Sequence, residues 1–181
     1  MKLWLVRHAQ PLIDAGVCYG ATDVAADAEA TLAAAQTLAL QLPVSTTMWV
    51  STLQRCEQLA QEVKGLRPDL AYKTDDRLRE MDFGHWEAQP WSAIPPEAYD
   101  AWTADFGGHR FGGKESVTDF MNRVALAWDE IQGQSQDGVW ITHAGVIRAV
   151  SLLAQGTRQI ADAAQWPAQA PGFGQWTVVD R

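Results

Sequence analysis

Two arginines and two histidines with the chemistry to handle a phosphoryl group stand far apart along this chain. Arg7 and His8 are adjacent, Arg55 follows the pair Ser51-Thr52, and His143 follows Thr142. Guanidinium forks match phosphate oxygens in bidentate fashion. An imidazole among them can act as a base. Two imidazoles permit more: one neutral ring attacks phosphorus while the other, protonated, stabilises the equatorial oxygens. The departing alkoxide then needs an acid. Glu80, in Arg79-Glu80-Met81-Asp82-Phe83-Gly84, is the leading candidate, with Asp82 and Glu87 as close rivals. The Thr22 hydroxyl either contacts a phosphate oxygen or closes a turn with Asp23.

The elements that must position these groups are legible from hydrophobic pattern. Leu3 to Val6 is a continuous apolar run, the mark of a strand buried on both faces, and it stops at Arg7-His8. After a loop from Ala9 to about Asp27, residues Leu32, Ala35, Leu38, Ala39 and Leu42 follow helical spacing until Pro43. Thr47 to Val50 predicts a second strand, and Leu53, Cys56, Leu59, Ala60 and Val63 a second helix ended by Gly65, with Arg55 in its first turn. Leu70 to Lys73 is a short third strand. Thr74 to Gly113 is irregular, with Pro90, Pro95, Pro96 and two glycine pairs around one helix, Glu97 to Phe106. Ser116 opens a helix that runs toward Gly133; Val139 to Ile141 is a buried strand ending at Thr142-His143; a helix from Val146 to about Ala154 and a last strand, Trp176 to Val179, follow. Alternating strands and helices predict a single α/β domain over residues 1–181, a three-layer sandwich with a mostly parallel sheet and helices on both faces. Such sheets bind ligands outside the carboxyl ends of their strands, so the three polar strand ends should form one cationic cleft, covered by the irregular segment of about 74–113.

Four runs resemble, in order, the motifs of the histidine phosphatase superfamily, the phosphoglycerate-mutase-like proteins. Leu5-Val6-Arg7-His8-Ala9-Gln10 resembles its R-H-G signature, Ser51-Thr52-Leu53-Gln54-Arg55-Cys56 its S-P-L-x-R-A segment, Leu78 to Glu87 its L-x-E-x-x-F-G-x-W-E loop, and Thr142 to Arg148 its S-H-G-G-x-x-R strand end. The resemblance implies a phosphoglycerate-mutase-like fold and a phosphomonoesterase in which His8 becomes phosphorylated, Arg7, Arg55 and His143 hold the phosphoryl group, and Glu80 donates the proton. Cys18 to Val24 with Leu78 to Glu87 is most similar to the alpha-ribazole phosphatases, which implies alpha-ribazole phosphate or a cobalamin phosphate as substrate. A mutase, a broad-specificity sugar-phosphate phosphatase and a silent phospho-ligand binder are the competing readings. Retention of Arg7, His8, Arg55, Glu80 and His143 argues against silence. Ala9, Thr52 and Ala88 replace a glycine, a proline and a glycine of the family pattern, and Lys114 is inserted into a G-G-E-S-like run.

Composition argues against two classes of partner and leaves open the small-molecule phosphate ester that the resemblance implies. The chain has 181 residues, 47% hydrophobic and 20% charged, which excludes a disordered or collagen-like polymer. A formal net charge of −8 argues against nucleic acid and anionic membranes. Two cysteines in no C-x-x-C pattern fit a reducing cytoplasm, and no apolar run has the length of a membrane span. Thiol-phosphatase chemistry fails, because Glu62 and Val24 stand where an arginine would be needed six residues after Cys56 and Cys18. Gly108 to Lys114 matches G-x-x-x-x-G-K, but Glu115 replaces the Ser/Thr and no strand precedes it. His85 and His109 lack metal-ligand spacing, so neither metal nor cofactor is expected. Trp4, Trp49 and Trp140 lie in strands and should be core. Trp86, Trp91 and Trp102 lie in the cover, where core packing is favoured over stacking on a substrate, with Trp86 the residue put forward for substrate contact.

Overall fold

The computed structural model describes all 181 residues. Five strands, β1 (Lys2–Arg7), β2 (Thr47–Val50), β3 (Tyr72–Thr74), β4 (Gly138–Thr142) and β5 (Trp176–Asp180), form one sheet in the order β3-β2-β4-β1-β5. The first four are mutually parallel and β5 runs antiparallel along β1, so the sheet is mostly parallel. Helices α1 (Ala28–Gln41) and α2 (Gln54–Leu66) pack on each other and on one face. Helices α4 (Val117–Gln132) and α5 (Ala144–Ala154) cover the other, and α3 (Pro96–Ala104) belongs to the irregular cover.

Strand periodicity decides which side chain joins which layer. On β1, Leu3 and Leu5 join the α4/α5 core while Val6 points to the α1/α2 core; on β4, Trp140 joins the first and Val139 and Ile141 the second. Both faces are therefore apolar, and the strands read as unbroken hydrophobic runs without alternation. The three-layer α/β arrangement is the one the sequence predicts.

Local departures have simple causes. Leu32 is exposed and Thr31 takes the inward position, its hydroxyl donating to Asp27 O at 2.6 Å. Helix α2 passes through Gly65 and ends at Leu66, with Arg67 as its cap, N–H bonded to Val63 O at 2.7 Å, directly before Pro68. The third strand is displaced to Tyr72–Thr74, leaving Leu70 as a buried anchor before it. Trp49 and Trp140 are core, whereas Trp4 is only half-buried, tilted against Trp176 of β5. Helix α4 begins with a reciprocal capping box between Ser116 and Asp119. Helix α5 begins two residues earlier than the pattern predicts, directly after His143, and this places its first-turn N–H groups beside the strand ends.

Candidate active site

Sheet register delivers the two histidines to one spot. Arg7 pairs with Thr142 across β1 and β4, and Val50 with Ile141 across β2 and β4, so the residues that follow these pairs emerge together. The ladder continues one bond further, with His8 N donating to Thr142 O at 3.1 Å and Ser51 N to Ile141 O at 3.0 Å. The His8 and His143 rings lie with centroids 5.2 Å apart.

Both imidazoles are buried beside fixed cations. His8 Nδ1 donates to Ala9 O at 2.8 Å, which fixes the tautomer and leaves Nε2 with its lone pair. Desolvation, and then the charge of Arg55, hold the His8 pKa down at about 3, so the ring is neutral near pH 7. His143 Nε2 lies 2.8 Å from Ser51 Oγ, and its Nδ1 is buried with no protein partner. Burial and the positive charge of Arg55 push His143 well below the ordinary histidine value. The protonated His143 expected from the sequence is thus not the form that burial beside Arg55 favours. A dianionic phosphoryl group between the arginines would reverse the local charge that keeps the ring neutral.

The arginines are aimed by carbonyl oxygens. Arg55, fully buried in the first turn of α2, donates through Nη1 to Thr22 O and through Nη2 to Gly20 O, both at 2.7 Å. That loop is held in turn by Glu87, whose carboxylate accepts from the N–H groups of Gly20, Ala21 and Phe83 and from the Thr22 hydroxyl at 2.5 Å. Glycine is required at position 20, since a Cβ there would stand 1.9 Å from Met81 O. Arg7 donates through Nη1 to Pro171 O at 3.0 Å and lies 3.9 Å from the centroid of the Phe173 ring.

The three candidate carboxylates separate clearly. Glu80 lines the cavity with Arg7, His8 and Arg55; its Oε2 accepts from Gly145 N at 3.0 Å and its Oε1 from Met81 N at 3.1 Å. The contact needs glycine at 145, where a Cβ would come within 2.2 Å of Oε1. Glu87 is committed to the loop. Asp82 accepts from Gly84 N and lines only a second, charged cleft, which Glu80 borders too, so that Glu80 alone of the three reaches the cavity of His8.

The cavity these residues share has a volume of about 590 Å³, within the usual range for small-molecule sites. Arg7, His8, Tyr19, Arg55 and Glu80 line one end, and Phe83, Trp91, Trp102, Phe106 and Trp166 the other, with Arg148 on the wall between α5 and Ala168. Three expected contacts are not in its lining. His143 is buried, its ring centroid 5.2 Å from that of the lining residue His8. The Thr22 side chain is turned to Glu87, and only its carbonyl serves the site, through Arg55. Trp86 packs against His85 and Phe111 outside the cavity lining, because the short 3₁₀ turn Gly84–Trp86 carries its indole behind Phe111. Tyr19, Arg148, Trp166 and Phe173 were not foreseen as site residues. The first two sit inside motif-like runs and were open to notice. Trp166 and Phe173 lie in a stretch without periodicity and give no sequence signal.

A parallel sheet whose strands end in a buried histidine pair flanked by arginines defines an α/β enzyme that handles phosphoryl groups. The family is explicit: the model of the histidine phosphatase superfamily (branch 1) matches residues 3–170, and the chain belongs to that superfamily and is a phosphatase. Among solved structures it is similar to TTHB049 from Thermus thermophilus, with 31% identity and a TM-score of 0.72 over 99% of this chain and 94% of that one. It is similar to mycobacterial glucosyl-3-phosphoglycerate phosphatase, with 25% identity and a TM-score of 0.78 over 98% and 88% of the two chains. It is also similar to a protein described as mycobacterial hydrolase 2, with 25% identity and a TM-score of 0.80 over 98% and 80%. No curated protein sequence matches it significantly. No helix is long and apolar enough to cross a membrane.

Proposed function

We propose that this phosphatase hydrolyses small-molecule phosphate monoesters through a phosphohistidine at His8. The observation that carries the reading is a neutral imidazole, its tautomer set by Ala9 O, lining the same cavity as Arg7, Arg55 and Glu80. In the first step His8 Nε2 forms a bond to phosphorus as the P–O bond to the alcohol breaks, and Glu80 gives its proton to the departing oxygen. Arg7 and Arg55 meet the charge on the equatorial oxygens. His143 takes up a proton with the dianion and donates from its unpartnered nitrogen. In the second step water attacks phosphorus, its proton passes to Glu80, the N–P bond breaks, and inorganic phosphate leaves with His8 neutral again.

The substrate we infer is alpha-ribazole 5′-phosphate or a cobalamin phosphate. The support is the resemblance of the loops Cys18 to Val24 and Leu78 to Glu87, together with an apolar far end in which Trp91, Trp102 and Trp166 take the place expected for Trp86. A broad sugar-phosphate phosphatase is the second reading, favoured by Arg148, a cation on the cavity wall suited to another polar group. A release assay over phosphate esters decides. Higher kcat/KM for alpha-ribazole 5′-phosphate than for ribose 5-phosphate and 3-phosphoglycerate is expected. Equal values for all three would remove the corrinoid assignment and leave the broad one.

A further inference from the structure

The segment between α5 and β5 is irregular apart from one 3₁₀ turn, Ala163–Gln165, yet it touches both ends of the cavity within a few residues. At its start, Trp166 lines the apolar end and meets Phe106 and Phe120 edge-on, at centroid distances of 6.4 and 6.2 Å. In its middle, Ala168 O accepts from Arg148 Nη2 at 3.1 Å and Pro171 O accepts from Arg7 Nη1 at 3.0 Å. At its end, the Phe173 ring lies 3.9 Å from the Arg7 guanidinium and 5.6 Å from the His8 ring, and Gly174 N donates to His8 O at 2.9 Å. One short piece of chain therefore supplies an apolar surface to the leaving group and orients the arginine and histidine that meet the phosphoryl group.

The geometry points to a strap, residues 163–174, that couples recognition of the leaving group to the alignment of Arg7 and His8, with Trp166 as a specificity-determining residue and Phe173 as a positioning residue. It selects monoesters whose alcohol carries a flat apolar ring system, and it rests on the phosphohistidine reading. A ring packed on Trp166 fixes the segment from Trp166 to Ala168. That restraint passes along a few peptide units to Pro171 O and Phe173, narrowing the orientations of Arg7 and His8. Binding energy from a remote part of the substrate is then expressed in the rate of attack as well as in affinity. Trp91, another lining residue, packs on Phe83 and Phe111 of the cover and has no aromatic pairing with the strap. It offers stacking without the coupling.

Alpha-ribazole 5′-phosphate and ribose 5-phosphate share the same primary leaving alcohol and differ in the flat base, so they separate the two effects. Single-turnover phosphorylation of His8 should be about tenfold faster with the ribazole ester. Trp166→Leu, which keeps an apolar side chain in the packing, should bring that rate to within about twofold of the ribose ester, and Trp166→Phe should restore most of the difference. Phe173→Leu should slow His8 phosphorylation by both esters. Trp91→Leu should raise KM for the ribazole ester with the phosphorylation rate kept. If Trp166→Leu raises only KM, or slows both esters equally, the strap does not couple the two ends. If wild-type enzyme turns over both esters without labelling His8, the underlying mechanism falls and the strap with it.

Discussion

The two ends of the cavity are built by different means. At the phosphate end, Arg7, His8 and His143 stand at the ends of adjacent parallel strands, and Arg55 in the first turn of a helix that follows another. Each is buried or half-buried, with His8 oriented by Ala9 O just past β1, His143 by Ser51 Oγ just past β2, Arg55 by the loop carbonyls of Gly20 and Thr22, and Arg7 by Pro171 O. At the leaving-group end, the walls come from the cover and from the strap after α5, where turns and aromatic packing replace ladders. The first end is suited to a moiety common to every monoester. The second is free to change with the alcohol without disturbing the sheet.

The largest effect should follow from His8. His8→Ala removes the atom proposed to attack phosphorus, and kcat should fall by at least about 10⁴-fold with every ester, as for loss of a covalent nucleophile elsewhere. Acid-labile, base-stable label from a phosphorylated substrate should map to His8 in the wild type and vanish in the variant. Label on Cys56 or a serine would dissolve the distinction between the two ends, because the strand-end histidine would then be only a binding group.

Glu80 lies at the junction and should discriminate by leaving-group chemistry rather than shape. Glu80→Gln keeps the shape and one acceptor oxygen for the N–H of Gly145 or of Met81, loses the other, and cannot give a proton. Esters of primary alcohols should slow by roughly 10²- to 10⁴-fold, and p-nitrophenyl phosphate far less, since its phenolate leaves unaided. Uniform slowing would make Glu80 a positioning group. A silent Glu80→Gln beside a severe Asp82→Asn would transfer the role to the other carboxylate.

A smaller loss is expected from Gly145→Ala. The new methyl would overlap Glu80 Oε1, while the glycine sits at the start of α5 in a conformation alanine adopts readily. Folding should survive and Glu80 should shift, costing up to about 10²-fold in kcat on primary-alcohol esters. Unchanged kcat would show that Glu80 swings clear of Gly145 during turnover.

The same contrast explains what could be read from sequence. Strand ends are marked where an apolar run meets Arg7-His8 or Thr142-His143, and parallel topology forces those ends together, so the convergence of Arg7, His8 and His143, with Arg55 in the first turn of α2, is legible in the chain. Glu80 was legible only as one of three carboxylates. What separates them is whether a backbone donor at Gly145 or the loop at Gly20 claims each one, and that is set by tertiary contacts. Trp86 was misjudged for a related reason. A 3₁₀ turn has no long periodicity to declare which way an indole faces, so Trp91, Trp102 and Trp166 line the cavity in its place. Trp166 and Phe173 belong to a segment whose only order comes from the site it touches, and order of that kind leaves no pattern in the chain.

The smallest effect tests the buried histidines through stability. His8 has a folded pKa of about 3, and the unfolded chain should show the ordinary value near 6.5. Above pH 6.5 both states carry a neutral ring, so the group makes no pH-dependent contribution. As pH falls through 6.5 the unfolded state takes up a proton that the folded state refuses, and stability declines until the folded ring also protonates near pH 3. His143, shifted in the same direction by burial and Arg55, adds to the decline. Between about pH 6.5 and 5.5 the carboxylates are still largely ionised, so the fall in Tm over that interval reports mainly on these rings. His8→Asn keeps a donor near Ala9 O but cannot titrate, and its Tm should fall less steeply than that of the wild type. Parallel Tm curves would mean that His8 protonates in the folded protein as easily as in the unfolded chain. The strand-end pocket would then be wet and charged, and the neutral nucleophile would have to be created by the substrate instead of being held ready for it.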